Sequence, residues 1–166
     1  MSALRSTGPA RFPGRRWAWI PVVVWLFLFL INAMHPSPDL GPTTGRLLPC
    51  PSSPNCVCSQ DDSSGHAIAP LLCPGPATAT QELSRLRQLL AQRPRTRLLD
   101  ERPGYLRYVV TTAWLRFRDD LEFLADDAHQ LIHVRSASRL GHGDLGTNRR
   151  RVEEIRALFN TSPAPR

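Results

Sequence analysis

The first clear signal along the chain is an uninterrupted apolar, uncharged run from Trp17 to Ile31 (WAWIPVVVWLFLFLI). Asn32, Ala33 and Met34 extend the uncharged stretch over residues 17–34. At about 1.5 Å per residue against roughly 30 Å of hydrocarbon, this is the short end of a membrane-spanning helix. Pro21 falls in its first turns, where a missing N–H does least harm. Arg5, Arg11, Arg15 and Arg16 precede the run and no Asp or Glu does. That asymmetry predicts a basic cytoplasmic N-terminus over 1–16, a transmembrane signal anchor over 17–34 and export of everything after it. A cleaved signal peptide is the competing reading. Ala33 suits position −1 of a cleavage site, whereas Ile31 is bulky for −3.

Behind this run, residues 35–49 are rich in Pro, Gly, Ser and Thr and read as a linker. Helical spacing then returns. Leu83, Leu86, Leu89 and Leu90 predict a helix over 78–93, opened by a Thr78/Gln81 capping box and stopped by Pro94. Residues 95–101 read as a short strand, and Pro103-Gly104 as a turn. Aromatic and β-branched residues over 105–117 predict one long or two short strands, continued by Leu121–Leu124. Residues 130–136 predict another strand, with Ile132 and Val134 on one face and Leu131, His133 and Arg135 on the other. Val152, Ile155, Leu158 and Phe159 mark the buried side of a last helix over 147–159, ended by Asn160 and Pro163, with 160–166 as a loose tail. The fold class is therefore α+β: an antiparallel sheet of about four strands packed with two helices, in one exported domain over 50–159.

Charge adds less than it promises. All 21 basic residues are Arg and the formal net charge is +7. The acid-free N-terminus supplies four of those arginines, so the remainder carries a small, mixed excess and gives no case for a nucleic-acid partner. No cofactor motif is present. The four cysteines are Cys50, Cys56, Cys58 and Cys73. In an exported chain they favour disulfides over free thiols. Cys50–Cys56 with Cys58–Cys73 is preferred, and Cys50–Cys58 with Cys56–Cys73 stays open. A bridge between Cys56 and Cys58 is disfavoured by their one-residue gap. Zinc ligation is disfavoured because the spacing lacks paired knuckles.

Polar chemistry concentrates in two stretches. RSASRLGHGDLGTNRRR, from Arg135 to Arg151, joins a strand to a helix. Asp144, Thr147 or Asn148 can cap that helix. Its N-terminus, with Arg139, Arg149 and Arg150 nearby, is a candidate anion site. The acidic cluster Asp119, Asp120 and Glu122 lies among apolar strand positions and needs partners, with Arg135 and Arg139 the obvious ones. Arg149–Arg151 reads as a solvated face pairing with Glu153 and Glu154. Trp114 and Tyr108 read as core residues, and His66 and His129 as surface loop residues.

The segments CPSSPNCVCSQ (50–60), HAIAPL (66–71), RDDLEF (118–123) and RSASRLGHGDLGTNRRRVEEIR (135–156) resemble the domain of unknown function 1499 family over about residues 46–159. Cys58 stands where the family pattern has Ser, and Cys73 is additional. The resemblance therefore implies Cys50–Cys56 as the family bridge and Cys58–Cys73 as an added one. Gly143 stands where the family often has Ser, which weakens any nucleophile there. The family carries no assigned activity, so the resemblance implies a fold unit only.

Three functions follow. The first is a binding module of the cell envelope, with Arg135, Ser136, Ser138, Arg139, Asp144, Asn148 and Arg149 around an anionic ligand or partner protein next to the membrane. The second is a hydrolase, with Ser136 or Ser138 as nucleophile, His133 or His142 as base and Asp119 or Asp120 as orienter. Its metal-dependent variant would use Asp119, Asp120, Glu122, His133, His142 and Asp144. The third is a scaffold, in which the same charges form a salt-bridge network locking the last helix to the sheet.

Overall fold

The computed structural model describes residues 19–34, 36–73 and 75–162. The basic N-terminus, the first two residues of the apolar run and the last four residues of the expected tail lie outside them. The elements in chain order are α1 (Ile20–Met34), β1 (Cys56–Cys58), β2 (Leu71–Leu72), α2 (Ala79–Ala91), β3 (Thr96–Arg102), β4 (Tyr105–Thr111), β5 (Arg118–Asp126), β6 (Leu131–Ser138) and α3 (Thr147–Thr161). The class is α+β, as expected, with six antiparallel strands in place of four. The order across the sheet is β1-β6-β5-β4-β3, and β2 shares the β6 edge with β1. Both extra strands are too short, at three and two residues, to show a period in the sequence.

The register of the sheet sets its two faces. Leu106 and Tyr108 of β4, Leu121 and Phe123 of β5, and Ile132 and Val134 of β6 form one buried layer. Leu83, Leu86 and Leu90 of α2 and Val152, Ile155 and Phe159 of α3 close over it. The helix α2 starts where Thr78 and Gln81 complete a reciprocal capping box. On the opposite face Tyr105, Cys58 and Leu47 form a smaller cluster.

Leu47 belongs to the expected linker, and so does the buried Leu40. The 36–49 segment is thus not a free tether: Leu47 packs on the second face, and the Gln60 side chain accepts the Leu47 N–H at 2.8 Å. Predicted strand 105–117 stops at Thr111, where residues 112–117 turn out as a loop. Trp114 sits in that loop at 86% exposure, not in the core, whereas Tyr108 is buried as expected. Thr161 still belongs to α3, and the Arg85 guanidinium donates to the Phe159 and Ser162 carbonyls, so the expected tail begins later than residue 160.

Of the expected bridges, Cys50–Cys56 is formed. Cys58 and Cys73 are both free and buried. Cys58 pairs in register with Arg135 and packs with Tyr105 on the second face, while Cys73 packs in the main core beside α2. The sheet separates the two thiols, so no bridge can join them. The helix α1 has 15 residues, about 22 Å at the usual rise. Among the described residues no helix is long and apolar enough to cross a membrane.

Candidate functional site

Cross-strand register divides the polar residues between the two faces. Asp119 lies on the helix-covered face, and its neighbours Asp120 and Glu122 follow the alternation of β5, Asp120 falling on the other side with Glu122. Facing α3, Arg151 pairs with Asp119 and donates to Ser136 Oγ at 3.0 Å and Asn148 Oδ1 at 2.6 Å. Ser136 Oγ donates to the same Asn148 oxygen at 2.6 Å. The Asn148 amide then donates to the Asn55 carbonyl, Ser138 Oγ and Asp144 at 2.8–3.0 Å. Asp144 accepts the backbone N–H groups of Gly146 and Asn148. Burial raises its pKa, but those donors outweigh burial and hold the carboxyl below its ordinary value. The helix start has Gly146 in the left-handed region at φ +75°. One network therefore ties β5, β6, the 51–55 loop and the first turns of α3 together.

The second face carries two more charge groups. Glu122 is fully buried, accepting from Tyr105 at 2.7 Å and pairing with Arg135 at 2.9 Å. Burial first, and the Glu122 charge second, push the Tyr105 phenol upward. Arg135 Nε is left buried without a partner. Next along the sheet, Asp120 lies between Arg107 and Arg139, with contacts of 2.7–2.8 Å. Both guanidiniums also donate to Ser37 Oγ, at 3.0 and 3.2 Å.

Six of the seven expected ligand residues are engaged by one another, by the acidic cluster, or by Ser37, Asn55 and Arg151. Arg149 is the exception, donating to the Gly65 carbonyl at 3.2 Å. The expected solvated face Arg149–Arg151 is corrected at Arg151, which is buried against Asp119. Glu153 pairs with Arg156 and Glu154 with Arg93 instead. The expected helix-terminal anion site is filled by the protein's own Asp144. The proposed nucleophiles Ser136 and Ser138 are bonded into the Asn148 hub, and His133 is not near them in the bonding network. His133 Nδ1 lies 3.2 Å from Ser59 Oγ, and Nε2 lies 3.6 Å from Asp126. Burial lowers the His133 pKa, against the opposing pull of Asp126. His142 is exposed, and the six expected metal-binding side chains are dispersed: Asp119 on the helix-covered face, Asp120, Glu122 and His133 on the other, and His142 and Asp144 in the loop before α3. His66 is half-buried, with its Nδ1 2.9 Å from the Cys56 carbonyl oxygen.

Sequence reasoning missed Arg107, Arg151, Asn55, Tyr105 and Ser59. A usable signal existed for two of them. Arg107 is the lone charge in YLRYVV, and Arg151 falls on the same helical stripe as Asn148, Val152 and Ile155.

No curated protein and no solved structure matches the chain. The model of the family described as Protein of unknown function (DUF1499) matches residues 46–159. That span starts just before the disulfide and ends with the buried face of α3, so it contains the Asn55–Asp144–Asn148–Arg151 network whole, and the chain belongs to this family.

Proposed function

We propose that the protein is a membrane-tethered module of the cell envelope, its folded part outside the cytosol, acting as a scaffold or binding partner. The exposure of α1 carries this reading. Val23 and Phe27 are each 62% exposed, with Trp19, Val22 and Leu30 also outward. A run of large apolar side chains facing water is costly, and lipid removes that cost. The Cys50–Cys56 bridge supports the compartment, because disulfides persist outside the reducing cytosol. The RSASR stretch supports a non-catalytic role, since its hydroxyls are held by Asn148 and Arg151 and its charges by Glu122 and Asp120. A C-terminal alkaline phosphatase fusion, paired with alkylation of thiols in intact cells, tests the reading. An active fusion and an oxidised Cys50–Cys56 pair are expected. An inactive fusion, or Cys50 and Cys56 alkylated without prior reduction, would overturn it.

Hydrolysis remains a second reading because of the Ser59–His133–Asp126 alignment. Against it, Ser59 Oγ already accepts the Val134 N–H at 2.9 Å, and the Ser59 N–H donates to the Val134 carbonyl. Those bonds give Ser59 the job of holding the end of β1 to β6. Ester turnover abolished by Ser59→Ala in a variant that keeps its melting temperature would favour hydrolysis.

A further inference from the structure

We infer that a cavity on the second face of the sheet, at the end nearest α1, is a binding site for a phosphoryl group, and that its natural occupant is the headgroup of an anionic lipid. The inference rests on the tethered reading above and names the ligand. The cavity is about 310 Å³ and is lined by Ser37, Arg97, Thr111, Arg116, Arg118 and Arg139. That volume lies at the small end of the roughly 300–1,000 Å³ typical of ligand sites.

Register builds this site. Arg97 of β3 opposes Val109, which opposes Asp120 of β5, and Thr111 opposes Arg118 one step along the same face. The backbone N–H of Arg139 bonds the Arg118 carbonyl, bringing the end of β6 to the same corner. Arg116 enters from the β4–β5 loop, in the left-handed region at φ +56°.

The charge there is not balanced. Asp120 is shared by Arg107 and Arg139. Among the described residues, Arg97, Arg116 and Arg118 have no carboxylate within 4.0 Å, and every Asp and Glu of the chain is described. Three guanidinium charges without a counter-ion border one cavity, Arg97 and Arg116 exposed and Arg118 half-buried, and like charges repel one another. A multiply oxygenated anion relieves that repulsion and accepts paired N–H bonds, which guanidinium geometry suits better than an ammonium would. Arg107 and Arg139 meanwhile donate to Ser37 Oγ, an oxygen at the edge of the site.

Position identifies the source of the phosphoryl group. Ser37 lies three residues beyond the end of α1, at most about 10 Å of extended chain. The Asn32 amide of α1 donates to the Arg116 carbonyl, and Trp25 Nε1 to the Trp114 carbonyl at 3.4 Å. The loop therefore runs along the helix. With α1 in a bilayer, exposed Trp114 and Leu115 meet apolar or interfacial lipid, and Arg116 and Arg118 stand at the depth of the headgroups.

The test uses the full chain purified in detergent. Native mass spectrometry reads retention of phosphatidylglycerol against phosphatidylcholine, and inorganic phosphate is titrated separately with the melting temperature as readout. Wild type is expected to keep phosphatidylglycerol preferentially. Arg97→Ala/Arg118→Ala is expected to cut that preference by about tenfold or more. Arg149→Ala/Arg150→Ala, which removes two arginines elsewhere, is expected to leave it intact and controls for net charge. Equal retention of both lipids, or an equal loss in the two double variants, would overturn the site. Stabilisation by inorganic phosphate as strong as that by phosphatidylglycerol, lost in Arg97→Ala/Arg118→Ala, would keep the phosphoryl site and overturn the lipid as its occupant. The phosphate titration does not depend on where the folded part resides, so failure of the tethered reading shows only in the fusion and alkylation experiment.

Discussion

Replacing one member of the Glu122–Arg135 pair should do far more damage than replacing both. Glu122 is fully buried and Arg135 is 7% exposed, so neither charge is solvated after its partner goes. Arg135→Met leaves the carboxylate with only the Tyr105 hydroxyl at 2.7 Å. Glu122→Leu leaves a buried guanidinium whose Nε already lacks an acceptor. Each single change is expected to cost about 3–5 kcal/mol. Against a total of roughly 5–15 kcal/mol for a domain, that is a large fraction. The double variant removes both charges and orphans only the Tyr105 hydroxyl, which costs about 1–3 kcal/mol. Adding Tyr105→Phe removes that penalty too. Urea unfolding of the detergent-solubilised chain, followed by circular dichroism, reads all four proteins. If the double variant loses as much as the two singles together, the pair is not coupled and the reasoning fails. Singles costing under about 1 kcal/mol would also refute it, by showing that water reaches the pair.

Acid should destabilise the protein in two steps. His133 has a folded pKa below 6.5, so the unfolded chain takes its proton first and stability falls as pH drops below about 6.5. His133→Gln is expected to flatten that limb of a pH-melting profile. Asp144 is depressed as well, so its contribution is complete above about pH 4 and disappears as pH falls through its folded value. Asp144→Ala should cost about 1 kcal/mol at neutral pH by uncapping α3, measured by urea midpoint with unchanged slope. Cys58 and Cys73 should be inert to a thiol reagent at pH 8 until the chain is unfolded. Burial raises both thiols, and Cys73 is pushed up to about 11. Reaction of either in the native state would contradict the burial. Cys50→Ser/Cys56→Ser should lower stability by about 2 kcal/mol, the loop-entropy value for so short a loop, read by thermal melting.

The elements with a repeated period were readable from sequence. Helix α2 followed from its leucines and capping box, and the β6 alternation separated Ile132 and Val134, which the fold turns to the core, from Leu131, His133 and Arg135. That Arg135 and Arg139 serve the acidic cluster was readable because charges inside apolar strands must find partners, whereas which arginine meets which carboxylate came only from the fold. The remainder depended on contacts remote in sequence. Arg151 looks solvated beside two other arginines, and only the approach of β5 to α3 shows its carboxylate 32 positions away. Cys58 and Cys73 looked like a pair because counting cysteines says nothing about which side of a sheet each occupies. Residues 35–49 looked like slack because three leucines in a Pro- and Gly-rich stretch carry no period.

The margins of the sheet bear on how such proteins tolerate crowding. On one side, β1 and β2 are short and interrupted, and the 63–67 turn caps β1 through the Cys58 N–H to the His66 carbonyl at 2.9 Å. On the other, β3 is kinked by an irregular register between Leu98 and Asp100 and carries Arg97, Asp100, Glu101 and Arg102. Neither rim offers a long, flat, greasy ribbon for a neighbouring copy to zip onto. Copies at high local concentration therefore meet edge to edge with little exposed backbone to pair.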